Sequence, residues 1–243
     1  MLTDSLRENR QDIVFITVIL LPLIILVGIL IYLPAVDSLI VSFTNENLRI
    51  RRLPKFIWLE NYSKLLENSE FWIVTARSLL VVALTLPLEL LISLGLALLL
   101  TEVFPGRAMV RTLVLLPWML PPIVNGFLWG WLLNGEYGAL NGLLYQLGII
   151  DEYVTWLRNP DTQVIWVAVV QTWTRFAFPT IILLAGLQSI PKDLIDAAKV
   201  DGASSWQSFK SIVLPLLMPS FAIALTIEFI AAFQIFDVIW TLT

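Results

Sequence analysis

Between Ile13 and Phe43 the chain carries a single charged side chain, Asp37, in a run otherwise dominated by Ile, Leu and Val. A run of this length exceeds the roughly 20 apolar residues that carry a helix across a hydrocarbon core. Four more apolar runs follow, at about 78–101, 112–133, 162–188 and 212–240. Water does not reach the bilayer core, so each run must satisfy its own backbone, and a helix does so. The expected fold is therefore an all-α, polytopic membrane helix bundle with about five spans. The composition agrees, since 58% of the residues are hydrophobic and 14% charged, against about a quarter charged in soluble domains.

The first run is too long for a signal peptide, and no small-residue cleavage site follows it. It reads as a retained span behind a polar tail, residues 1–12, with Pro22 and Pro34 predicting a kink or an extension beyond the bilayer. Residues 44–73 form a polar segment with Arg49, Arg51, Arg52, Lys55 and Lys64 beside Glu46, Glu60, Glu67 and Glu70. Trp58, Tyr62, Phe71 and Trp72 suit interfacial anchoring, and Leu65 and Leu66 predict a short amphipathic helix. Residues 134–161 form a second polar loop. Pro117, Pro121 and Pro122 interrupt the third span. The carbonyls they strand are tolerated only against protein or a wet cavity, so this span is expected to line a path. No internal repeat and no soluble-domain boundary is visible.

Several chemistries are excluded. The chain has no Cys and no His, which removes disulfides, thiol chemistry, the usual triads and zinc sites. Its net charge of -4 leaves no basic footprint for nucleic acid. No phosphate loop and no dinucleotide fingerprint occurs, so no cofactor is expected on this chain. Work against a gradient would draw on a partner chain or an ion gradient.

Polar residues inside the spans mark a candidate site. Gln171, Thr174, Arg175 and Phe178 are spaced i, i+3, i+4 and i+7 and so share one face of a helix. An Arg in a span is costly and faces a cavity, the bundle interior or a partner. Glu228 is also intramembrane and is a candidate for that partner, and a structural pair without ligand stays open. Glu89 and Asp237 are further polar wall residues. Trp118, after a proline, suits either a pocket or an interface anchor.

The most ordered polar stretch runs from Ile190 to Pro215. Pro191 suits a first helical turn, Leu194, Ile195 and Ala198 fall on one side, and Asp193, Asp196, Lys199 and Asp201 are more exposed. Gly202 is placed to end that helix in the left-handed region. Ser204 and Gln207 form a capping box for a second helix, whose apolar face is Trp206, Phe209 and Val213. The residues alone leave open an amphipathic interfacial loop with a Lys192–Asp196 pair.

Asp196-Ala-Ala, three residues, Gly202, nine residues, Ile212-x-Leu-Pro215 resembles the signature loop of the membrane (permease) subunits of bacterial ABC importers. It departs only in Asp for the leading Glu. Leu116-Pro-Trp-Met-Leu-Pro121, Asn134-Gly-Glu-Tyr-Gly-Ala-Leu-Asn141 and Phe236-Asp-Val-Ile-Trp-Thr-Leu-Thr243 are similar to segments of the carbohydrate-uptake branch, whose type case is the larger maltose permease subunit. That branch continues into a Gly-Gly-Pro stretch and a last span, so a sixth span is expected to be missing here.

The resemblance implies a transport subunit without its own nucleotide site, translocating a sugar or sugar-like solute, neutral or anionic (an oligosaccharide, polyol or sugar phosphate), across the cytoplasmic membrane. ATP and Mg would act on two partner ATPase subunits. A second permease subunit, an extracytoplasmic solute-binding protein and membrane lipid complete the expected partners. The hairpin, residues 190–211, becomes a coupling helix: Asp196 makes a charged contact, Ala197 and Ala198 allow close docking, and Gly202 turns the chain. Hairpin and tail then face the cytoplasm, an orientation the basic residues alone leave undecided. Positions matching the family's sugar pocket are Trp118, Pro122, Gln171, Thr174, Arg175, Phe178, Glu228, Ala231 and Ala232. Without the resemblance, an ion-coupled secondary transporter or channel remains the alternative, and a membrane scaffold without transport a third.

Overall fold

The computed structural model describes residues 2–46 and 53–243, with the backbone alone for 2–14. Arg49, Arg51, Arg52 and the side chains of Arg7 and Arg10 lie outside the described residues. The chain divides into two compact units, Met1–Ile73 and Val74–Thr243.

In the first unit, helix α1 (Leu2–Val27) passes through Pro22 and continues by a π-helical turn, Gly28–Tyr32, into α2 (Leu33–Ser42). A register change thus stands just before Pro34, one of the two prolines where a kink is expected. Pro34 has no N–H to donate, and the wider turn just before it, closed by Leu33 N–H to the Gly28 carbonyl, accommodates that loss. The same device recurs later, where a π turn at Phe209–Val213 precedes Pro215. After α2 the chain pairs briefly, Thr44 opposite Phe56. The Asn61 side-chain amide fastens this corner by donating to the carbonyls of Ser42 and Thr44, both at 2.8 Å. The short amphipathic helix expected near Leu65 is α3 (Glu60–Glu67).

The second unit takes in most of α4 (Ser69–Thr101), which begins earlier than the expected 78. Then come α5 (Arg107–Met119), α6 (Pro122–Leu132), α7 (Ala139–Gln146), α8 (Pro160–Arg175) and α9 (Ala177–Gln188). The hairpin helices α10 (Lys192–Val200) and α11 (Ser205–Ser208) lead into α12 (Leu214–Ala232) and a last short helix, α13 (Asp237–Leu242). Among the described residues, three helical stretches are long and apolar enough to cross a membrane alone, Phe15–Ser42, Ser69–Thr101 and Ser205–Ala232, and the number reaches five if each of two bent pairs is one span.

The bends have local causes. Helices α5 and α6 meet at 98°. Pro121 cannot donate to the carbonyl of Pro117, and the buried amide of Asn125 reaches back to it at 2.9 Å instead. Helices α8 and α9 meet at 49°, where Pro179 withholds the N–H that the Arg175 carbonyl would accept. The Phe176 carbonyl at the bend accepts from Ser93 Oγ of α4 at 2.8 Å and from Thr180 Oγ1 at 2.7 Å.

The expected fifth span, 212–240, is displaced: the continuous helical stretch runs from Ser205 to Ala232. Helix α12 ends at Ala232, and α13 turns onto α6. Gly126 permits this approach. A Cβ at Gly126 would overlap the Thr241 hydroxyl and stand 2.8 Å from the Thr241 Cβ.

Four apolar clusters form the core of this unit among the described residues, and two of them are the largest. One joins Val81, Leu133, Val164, Val167, Val170, Val238 and Leu242. The other joins Ala97, Leu100, Leu183, Leu184, Leu187, Ile190 and Leu217. Between them on α4 lie Thr85, Glu89 and Ser93, all fully buried or nearly so. Glu89 is eight residues from both Val81 and Ala97, about 12 Å along the axis in each direction. The polar belt therefore sits midway between the two apolar layers.

Candidate functional site

Mid-belt, Arg175 and Glu228 form a two-pronged ion pair. Arg175 Nε donates to Glu228 Oε2 at 2.7 Å and Nη2 to Oε1 at 3.3 Å. The Glu228 side chain is entirely buried, whereas that of Arg175 keeps 26% of its surface. Glu89 on α4 is within electrostatic reach of both, and its Oε1 is buried with no hydrogen-bond partner. Three ionisable groups from three helices, two acidic and one basic, thus meet at one depth.

Beside them opens a cavity of about 140 Å³, lined by Pro122, Gln171, Thr174, Arg175, Ala231 and the segment Gln234–Val238. Five positions expected of the pocket, Pro122, Gln171, Thr174, Arg175 and Ala231, are brought together here. Glu228 stands behind Arg175 instead of on the wall. Ala232 packs with Val82 and Leu86. Trp118 and Phe178 face each other at 5.8 Å between ring centroids, away from the lining. The shared face drawn through Gln171, Thr174, Arg175 and Phe178 breaks because the 49° bend at Phe176 carries Phe178 off the α8 face. Asp237, a wall candidate by depth, does line the cavity; Gln234, Ile235, Phe236 and Val238 are additions. They lie past the end of α12, where a helical period no longer applies.

The cavity's polar groups differ in freedom. Thr174 Oγ1 donates to the Val170 carbonyl at 2.8 Å, leaving only lone pairs. Among the described residues, the Gln171, Gln234 and Asp237 side chains have no protein partner, although Gln171 is 6% exposed.

The polar loop above is organised by Asn141, which is fully buried. Its Nδ2 donates to the carbonyls of Asn134 and Val154, and its Oδ1 accepts from Val154 N and Trp156 Nε1, at 2.9–3.1 Å. An ordered loop therefore roofs this end of the bundle.

At the other end, the hairpin has the helix–glycine–helix form expected. Gly202 adopts φ +80°. Ala203 N–H bonds the Ala198 carbonyl and Gly202 N–H the Lys199 carbonyl, which completes a Schellman turn. Ser204 and Gln207 form the capping box. Asp196 pairs with Lys199 at 3.0 Å, not with Lys192, because i,i+3 neighbours also share a helix face. Asp196 and Ala197 are exposed, whereas Ala198 turns inward at 9% exposure. Leu194, expected on the apolar side, is 44% exposed. Trp206 stacks on Phe209 at 5.6 Å and stays largely in the open.

Residues 76–243 match the family of the binding-protein-dependent transport system inner membrane component. The chain is 36% identical to a trehalose/maltose transport system permease protein of Thermococcus litoralis, covering all of this chain and 80% of that one. It is 35% identical to a sulfoquinovosyl glycerol transport system permease protein of Agrobacterium fabrum, over 93% of this chain and 72% of that one. Its fold is that of a chain in a bacterial ABC transporter involved in the import of the acidic polysaccharide alginate. The TM-score is 0.76 at 22% identity, over 98% of this chain and 83% of that one. A second structure of an alginate transporter, in complex with a periplasmic protein bound to alginate pentasaccharide, gives 0.74 at 24% identity, covering 97% and 81%.

Proposed function

The chain belongs to the binding-protein-dependent transport system inner membrane component family, and on that premise we propose that it forms half of the membrane path of an ATP-driven importer for a sugar or sugar-like solute. It is a multi-pass inner-membrane permease. Energy enters from two ATPase subunits, which hold ATP and Mg. A second permease subunit forms the other half of the path, and an extracytoplasmic binding protein delivers the solute.

The observation that carries this reading is the hairpin. Its Schellman turn and capping box fix two helices at a set angle, and α11 runs through the π turn into the span carrying Glu228. A push on α10 therefore passes the fixed turn to α11 and from there follows continuous helix to the polar belt. Asp196 and Ala197 form the docking surface, the small Ala198 seats α10 on the bundle, and Gly202 sets the turn. Substrate contacts centre on the cavity beside Arg175. The names of the relatives and the structural neighbours include neutral sugars as well as acidic ones, and all of them support a carbohydrate.

The test is reversal of charge at the hairpin. Asp196→Lys in the assembled importer is expected to leave the chain in the membrane and abolish uptake while the ATPases still hydrolyse ATP. Normal uptake would remove the coupling role. One observation favours a second reading: the Glu89, Arg175 and Glu228 cluster suits ion-coupled transport. In that case ATPase subunits would not copurify with the chain, and uptake would follow an ion gradient.

A further inference from the structure

The cavity's charge pattern points to a narrower class of solute. Glu228 occupies Arg175 through Nε and Nη2, so the one cation on the wall is already neutralised by a fully buried carboxylate. Asp237 adds a negative charge to the same lining. The wall therefore carries no net positive charge, whatever the state of Glu89. An anionic ligand entering this belt would lose water, meet Asp237, and find its only cation engaged.

An uncharged sugar meets better complements. Its hydroxyls donate as well as accept. Asp237 accepts, the amides of Gln171 and Gln234 do both, and the remaining Arg175 Nη1 donates. Gln171 is more than nine-tenths buried, lines the cavity and lacks a protein partner, a vacancy that a ligand hydroxyl fills. The volume of about 140 Å³ is small against the 300–1,000 Å³ usual for drug-sized ligands and suits one ring at a time.

We infer that this cavity selects an uncharged sugar ring over an anionic one, that Glu228 enforces the choice by masking Arg175, and that Gln234 and Asp237 are specificity-determining residues. The inference rests on the carbohydrate reading above.

The test uses the purified assembly of permeases and ATPases without its binding protein, whose own selection would otherwise intervene. Binding of methyl α-glucoside, maltose and glucuronic acid is measured by calorimetry. At least tenfold weaker binding of glucuronic acid than of methyl α-glucoside is expected, since the two share a ring and, apart from the methyl group at C1, differ by a carboxylate in place of the C6 hydroxymethyl group. Asp237→Asn, at an exposed position, is expected to narrow that gap several-fold. In the assemblies that form, removal of both belt carboxyls in Glu89→Gln/Glu228→Gln, whose new amide oxygen still accepts from Arg175, is expected to unmask the Arg175 charge and invert the gap. Equal or tighter glucuronic acid binding by the unmodified assembly overturns this inference and leaves the carbohydrate reading standing. An unchanged gap in Asp237→Asn overturns the role of Asp237. No saturable binding of any of the three sugars overturns both readings.

Discussion

Asn125 donates its side-chain amide to the main-chain carbonyl of Pro117, 2.9 Å away, and so replaces the N–H that Pro121 lacks. Asn125 is 1% exposed, so this bond is shielded from solvent. Asn125→Leu keeps the side-chain size and strands the carbonyl. The expected loss is about 1–2 kcal/mol, between the cost of an orphaned buried acceptor and the smaller average for polar contacts in membranes. It is read as a lower thermal unfolding midpoint of the purified protein.

The bend at Phe176 is held more redundantly. Its carbonyl accepts from Ser93 Oγ and Thr180 Oγ1 and, at 3.2 Å, from Thr180 N. Ser93→Ala alone is expected to cost about 0.5 kcal/mol, because two donors remain. Ser93→Ala with Thr180→Val removes both hydroxyls, and the double variant is expected to lose more than the sum of the singles. An additive result in thermal unfolding would show that the backbone donor suffices.

Helices α9 and α12 approach through Gly186. A Cβ there would overlap the Ser220 hydroxyl and stand 2.7 Å from the Ser220 Cβ and 2.9 Å from Leu217 Cδ1. Gly186→Ala is expected to cost about 1–3 kcal/mol by overpacking. Ser220→Gly in the same chain removes the nearest atoms and is expected to recover most of that loss, whereas Ser220→Ala, which keeps the Cβ, is not.

These contacts show what was legible in the sequence and what was not. The spans followed from apolar runs, because lipid permits so few other structures. The hairpin's grammar followed from Gly202, Ser204 and Gln207, since caps and turns are local. The breaks at Pro121 and Pro122 were legible as breaks, but the angle depends on Asn125, a tertiary partner. The end of α12 was not legible. The stretch Phe233-Gln-Ile-Phe-Asp holds no breaker, and its turn depends on Thr241 finding room against Gly126. The cavity was half legible for the same reason: Gln171, Thr174 and Arg175 follow a helical period, while Gln234 does not.

The Arg175–Glu228 pair separates structure from recognition. Arg175→Ala leaves Glu228 with no counter-charge at a fully buried position. Breaking one side of such a pair costs about 3–5 kcal/mol, so poor assembly is expected, and lost uptake in that variant alone would say nothing of the solute. Replacing both partners by apolar groups of similar volume is often neutral for stability. Arg175→Met/Glu228→Leu is therefore expected to restore the unfolding midpoint and membrane level to near those of the unmodified chain. If the pair belongs to the solute site, sugar binding stays lost in this stable variant, because Nη1 and the masking carboxylate are both gone. If the pair only holds α8 to α12, binding returns with stability. Calorimetry on the double variant decides between the two, since a structural role predicts that binding and stability recover together and a recognition role predicts that they part.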